Sequence, residues 1–89
     1  MNKVTEIQIK PVKPNNGLVG FASCVINQEL YISSIGIFTK LNEQGYRITY
    51  PTKKVGEDNI QIFHPITQEL GKEIESAVTK KAQELFEHT

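Results

Sequence analysis

The chain has 89 residues, a length that accommodates one domain built on one core and leaves no room for two. Its ten Lys and Arg side chains balance ten Asp and Glu, which argues against an indiscriminate polyanion binder, because such domains are strongly basic. One cysteine excludes an internal disulfide, and no apolar run approaches the roughly 20 residues of a membrane span, so a soluble cytoplasmic protein is expected.

Nor do the first 20 residues hold the apolar stretch of a signal peptide. The charge balance is uneven along the chain. Residues 1–66 carry seven Lys and Arg against five Asp and Glu, whereas residues 67–89 carry three against five, so an anion site is expected on the first part. A domain of this size buries only about 60 to 65% of the surface its unfolded chain exposes, so a second subunit would stabilise it substantially.

Val4 to Pro11 alternates between apolar and polar residues, the pattern of a strand with one dry and one wet face, and Pro11 and Pro14 mark its end or an edge. Asn16-Gly17 supplies the two positive φ values of a type I′ turn between apolar runs, which predicts a hairpin. Leu18 to Ile26 is apolar at both parities, with Leu18, Ala22, Cys24 and Ile26 on one side and Val19, Phe21 and Val25 on the other. Cys24 in this setting reads as a small buried hydrophobe. After a turn at Asn27 to Glu29, Leu30 to Phe38 again has bulk on both sides, with Tyr31, Ile35 and Ile37 opposite Leu30, Ile32 and Phe38. Gly20 and Gly36 inside these strands mark a bulge, a bend or the close approach of another element.

A polar connection, Lys40 to Gly45, leads to the stretch that stands out most. Tyr46, Ile48 and Tyr50 alternate with Arg47 and Thr49 as a half-buried strand that Pro51 ends, and Ile60 to Phe63 forms a fifth short strand. Thr52 to Asn59 between them, with Gly56, Asp58 and Asn59 as turn formers, reads as a turn that displays Lys53 and Lys54 side by side: a hairpin with a basic tip. Tyr46 and Tyr50 are expected in the core, although exposed they could stack on bases.

His64-Pro65 stops the fifth strand, since proline removes a donor and restricts the residue before it. Thr67 is a fitting N-cap. From there Leu70, Ile74, Ala77, Val78, Ala82 and Leu85 recur at helical spacing. Glu69 with Lys72, and Lys80 with Glu84, can pair across a turn on the wet face. Gly71 is expected to let the first turn lie close to the sheet. The predicted architecture is α+β: one domain over residues 1–89, a five-stranded antiparallel sheet of hairpins within residues 3–63, and one C-terminal amphipathic helix over about 67–87. One helix covers one sheet face, so the other face or a sheet edge is expected to meet a second copy as a homodimer.

His64, between Phe63 and Pro65, is expected to be structural, as are Pro65 and Gly71; His88 lies near the end of the chain. Two histidines, one cysteine and one aspartate, widely spaced, offer no metal-binding spacing and no nucleophile-base pair, and there is no glycine-rich phosphate loop. No catalysis, cofactor, metal or small-molecule substrate is expected.

The order of motifs resembles the stage V sporulation protein G (SpoVG) family of bacterial septation proteins. The resemblance runs from Val4 to about Leu85 through Ala22-Ser23, Tyr31 to Phe38, the Tyr-Pro-x-Lys-Lys element at Tyr50 to Lys54, Phe63-His64-Pro65-Ile66, and Gly71-Lys72-x-Ile74. It implies a small dimer without catalysis that binds DNA, and in some members RNA, and regulates septation, sporulation or gene expression. It also places the nucleic-acid contacts on Thr52, Lys53 and Lys54, to which the basic strand residue Arg47 is added from the reading of the hairpin. The chain departs from the family at Gly36, where an arginine is common, and at Ile60-Gln61, where Arg-Asp is common. Each departure removes charge from the expected surface. The competing expectation is a protein-interaction module that docks a division or regulatory partner.

Overall fold

The computed structural model describes residues 3–41 and 43–87, so His88 lies outside the described residues. The elements are β1 (Val4–Asn15), β2 (Leu18–Ile26), β3 (Leu30–Thr39), β4 (Tyr46–Thr49), β5 (Thr52–Val55), β6 (Asp58–Gln61) and α1 (Gln68–Phe86). Strands β1 to β4 form an antiparallel sheet in chain order, and β5 pairs only with β6. The α+β class and the C-terminal helix stand, but the single five-stranded sheet does not. Four strands make the sheet, and the segment expected to be a turn is instead half of a separate ribbon. Gly56, at φ 63°, provides the first corner of a two-residue turn between Val55 and Asp58, so Thr52 to Val55 folds back on Asp58 to Gln61. The Ile62 N–H donates to the Pro51 carbonyl at 2.8 Å and closes the base of the ribbon.

The Asn16-Gly17 hairpin forms as its residues predict, with φ 53° and 92° at the two corners and Asn15 opposite Leu18. Two irregularities then set the faces of the sheet. Between the pairs Thr5–Val25 and Gln8–Ser23, β1 has one residue more than β2, and Glu6 there has φ 54°. Between Cys24–Ile32 and Ala22–Ile35, β3 has one residue more than β2, and Ser34 has φ 64°. Side chains alternate with a period of two, so one extra residue moves everything beyond it to the other face. Val4 thus shares the core face with Ile7 and Ile9, and Ile32 shares it with Ile35 and Ile37. The expected opposition of Ile32 to Ile35 and Ile37 is corrected by the Ser34 bulge. A third shift, between Leu18–Phe38 and Gly20–Ile37, likewise moves Leu18 away from the Ala22 side.

Helix α1 packs on this core face with Ile74, Val78 and Ala82 buried against Ala22, Cys24, Ile35 and Ile37. Each large aliphatic side chain buried there contributes about 1.5 to 3 kcal/mol. Thr67 caps the helix, its hydroxyl accepting the Leu70 N–H at 3.2 Å. The apolar stripe ends on Phe86, whose ring centroid lies 5.9 Å from that of Tyr46; Leu85, expected in the stripe, is exposed instead. Among the described residues the one ion pair is Lys40–Glu43 at 3.6 Å, so the expected helical pairs do not form. A tie the sequence did not suggest joins helix to sheet: Glu73 Oε2 accepts the backbone N–H groups of Lys3 at 2.9 Å and Val4 at 3.1 Å.

Gly20 and Gly36 sit at close approaches, as expected. A Cβ on Gly20 would lie 3.0 Å from the Lys10 carbonyl and 3.4 Å from Phe86. Gly71 is not needed for a close approach to the sheet: a Cβ there would meet only Pro65 Cγ, at an ordinary 3.5 Å. Gly71→Ala is therefore expected to stabilise the protein by about 0.5 to 1 kcal/mol, read from denaturant melts. Glu73→Ala is expected to cost about 1 to 3 kcal/mol and to accelerate hydrogen exchange at the amides of Lys3 and Val4.

Candidate nucleic-acid interface

Lys53 and Lys54 lie within β5 rather than at a turn, and as successive strand residues they point to opposite faces of the ribbon. Thr52 is paired with Gln61 and Lys54 with Asn59, which puts four polar side chains on one face. Lys53 is paired with Ile60 and Val55 with Asp58, which gives the other face two apolar residues and one charge of each sign. The turn carries Gly56 and Glu57, followed by Asp58. The expected basic tip is thus an acidic tip on a ribbon with one lysine per face, because the chain reverses two residues beyond Lys54. Every residue of β5 and β6 is exposed.

Arg47 lies on β4, on the sheet face away from the helix, with its guanidinium carbon 4.6 Å from the centroid of the Phe38 ring. This cation-π contact seats the long cation over the ring on the sheet surface. On the same face the register brings together Lys10, Phe21, Gly36 and Thr49 as one row across all four strands, with Phe38 and Arg47 in the next row. Phe21 is 39% exposed. None of these partners is acidic. Lys10, Phe21 and Phe38 were not singled out in the sequence as site residues, since their alignment depends on a register that the bulges set. Arg47 and the β5 lysines are therefore separate groups on two structural units, joined through Tyr50 and Pro51.

Tyr46 and Tyr50 pack against the core, as expected, and the Tyr50 ring meets Phe63 edge-on with centroids 6.0 Å apart. Both remain half-buried, and Tyr50 also lines a shallow depression on the sheet face away from the helix. Burial raises the Tyr50 phenol above its ordinary range, and Cys24 and Glu75 add in the same direction. Burial also raises the thiol of Cys24, which is 0% exposed, in keeping with a small hydrophobe. His64 is exposed at the strand-to-helix junction, beside the half-buried Pro65. Among the described residues no group of three or more His, Cys, Asp and Glu comes together as a metal site, and no helix is long and apolar enough to cross a membrane.

The family model SpoVG matches residues 1–84. The chain belongs to the SpoVG family. It is 34% identical over 86 residues to the protein of Finegoldia magna named "Putative septation protein SpoVG", covering 96% of this chain and 78% of that one. A protein of the same name from Archaeoglobus fulgidus is 27% identical over 85 residues, covering 94% of this chain and 98% of the relative. The SpoVG match spans the sheet, the ribbon and nearly all of the helix, so ribbon and sheet face both fall within the family region.

The raised Tyr50 phenol sets the sign of an alkaline effect in this SpoVG chain. A phenol that ionises less readily folded than unfolded contributes stability that is complete below about pH 10 and is lost as the pH rises through its native value. Tyr50→Phe, which keeps the ring in place, is expected to flatten the decline in melting temperature as the pH rises above about 10, measured by circular dichroism.

Proposed function

We propose that this SpoVG-family chain is a non-catalytic, homodimeric nucleic-acid-binding protein of the cytoplasm that acts in septation, sporulation or the regulation of gene expression. The observation that carries the reading is the exposed β5–β6 ribbon, whose polar face presents Lys54 with Thr52, Asn59 and Gln61. A two-stranded ribbon fits the major groove of a duplex. Lysine supplies phosphate contacts there, while Thr, Asn and Gln reach base edges. Septation enters through the names of the two relatives. The opposite ribbon face, with Val55, Ile60, Lys53 and Asp58, suits a second copy, since a surface with one charge of each sign is self-complementary about a two-fold axis.

A second reading is supported by Ile62 and Ile66, which are 61% and 89% exposed near the ribbon base: a surface that docks a division or regulatory protein. A pull-down that survives both nuclease and the double change Lys53→Ala/Lys54→Ala would favour it.

The first reading is tested by fluorescence anisotropy with duplex DNA, single-stranded DNA and RNA across a salt series. Neutralising about two to four phosphates gives a log-log salt slope of about −2 to −4. Lys54→Ala is expected to weaken binding and to reduce the slope by about 1 per site, with a smaller effect for Lys53→Ala. Equal, salt-insensitive signals for wild type and the double variant would eliminate nucleic-acid binding through the ribbon.

A further inference from the structure

The sheet face turned away from α1 has an arrangement that the ribbon reading leaves unused. Its two central strands each present a phenylalanine, Phe21 on β2 and Phe38 on β3, and each edge strand presents a cation beside one of them. Lys10 on β1 is the direct partner of Phe21, and Arg47 on β4 is the direct partner of Phe38. Gly36 lies between them, opposite Phe21, and contributes no side chain. A depression of about 370 Å³ opens here, lined by Phe21, Ser34, Gly36, Phe38, Thr49 and Thr52 among others, with no carboxylate in its wall.

We propose that this face is a stacking platform for single-stranded nucleic acid, taking an unpaired base on Phe21 with Lys10 and Arg47 on the flanking phosphates. Planar rings on the central strands of a four-stranded sheet stack splayed bases, and cations at its edges follow the backbone. The Phe38 ring is already occupied by the Arg47 guanidinium at 4.6 Å, which leaves Phe21 as the open ring. Ser34 and Thr49 supply hydroxyls that can donate to or accept from base edges without excluding any one base. Thr52 lines the depression and also begins the polar face of the ribbon, so a strand leaving the platform meets Lys54 two residues further along β5. A duplex cannot use the ring, because its bases are paired and stacked. The platform therefore adds a preference for single strands to the nucleic-acid binding proposed above, on which it rests.

The test compares labelled single-stranded RNA and DNA with the matching duplex, using wild type, Phe21→Leu, Phe21→Tyr and Lys54→Ala. Phe21→Leu is expected to weaken single-strand binding at least about fivefold, while duplex affinity stays within about twofold. Phe21→Tyr restores the ring face and is expected to restore binding, which a merely structural loss would not predict in this pattern. A bromouracil-substituted strand is expected to cross-link to the peptide that contains Phe21. Unchanged single-strand affinity in Phe21→Leu overturns the platform, as do cross-links confined to residues 52–61. So does a change from dimer to monomer in Phe21→Leu by sedimentation, since the ring would then belong to a protein contact. If duplex binding persists and depends on Lys54 while Phe21→Leu has no effect, the platform alone fails. If wild type binds neither duplex nor single strand, the nucleic-acid reading fails with it.

Discussion

The left-handed backbone at Glu6 and Ser34 is the constraint on which the rest of the molecule depends. Both residues lie beside Ser23, one in the strand on each side of it, so the extra residues fall in the same zone of the sheet. A residue other than glycine held at positive φ costs about 1 kcal/mol or somewhat more. Each bulge offsets that cost by aligning apolar side chains that simple alternation would divide between core and solvent. Ile35 and Ile37 are both 0% exposed, and burying two such side chains contributes about 3 to 6 kcal/mol. The same shift places Gly36 and Phe38 on the opposite face, so core and candidate binding surface share one origin.

Charge is sorted by the same layering. Five of the ten acidic residues lie in the segment that follows Pro65, four of them in the helix, while Lys10 and Arg47 lie on the far side of the sheet. Exposed charges farther apart than a Debye length, about 8 Å at physiological ionic strength, are largely screened from one another, and a helix layer packs on a sheet at about that distance or more. A chain with zero net charge can therefore present a locally basic face. The balance of charges in the sequence limits indiscriminate attraction to polyanions without preventing a confined site.

The ribbon shows why turn chemistry was only partly legible. Gly56, Asp58 and Asn59 are all turn formers, and their proximity suggests one open turn from Thr52 to Asn59. Only Gly56 takes a positive φ there; Asp58 and Asn59 are extended and pair with Val55 and Lys54. A two-residue turn with positive φ only at its first corner, the type II′ pattern, needs no other, and every residue released from the loop gains a ladder partner. Two strands alone are marginally stable in water, so the Ile62 to Pro51 hydrogen bond at the base and the cross-strand pairs carry its order. Since side chains alternate along a strand, this shorter turn separates Lys53 from Lys54, which adjacency in sequence had suggested would act together.

Local chemistry alone determined the elements that depend on neighbouring residues: the Asn16-Gly17 hairpin, the strand from Leu18 to Ile26, the end at Pro51, the Thr67 cap and the helix that follows it. Each is governed by torsional preference, a missing donor or a 3.6-residue period, all of which act within a few positions of the chain. The order of motifs also carried the family, which the match over residues 1–84 shows. Tertiary structure decided what lies beside what across strands. Which face Ile32 and Ile35 share, the row formed by Lys10, Phe21, Gly36 and Thr49, the seat of Arg47 on Phe38 and the tie from Glu73 to β1 all depend on register. Register follows from where a strand accepts one extra residue, and that is settled by the burial the whole sheet gains against the helix rather than by the residue at the bulge.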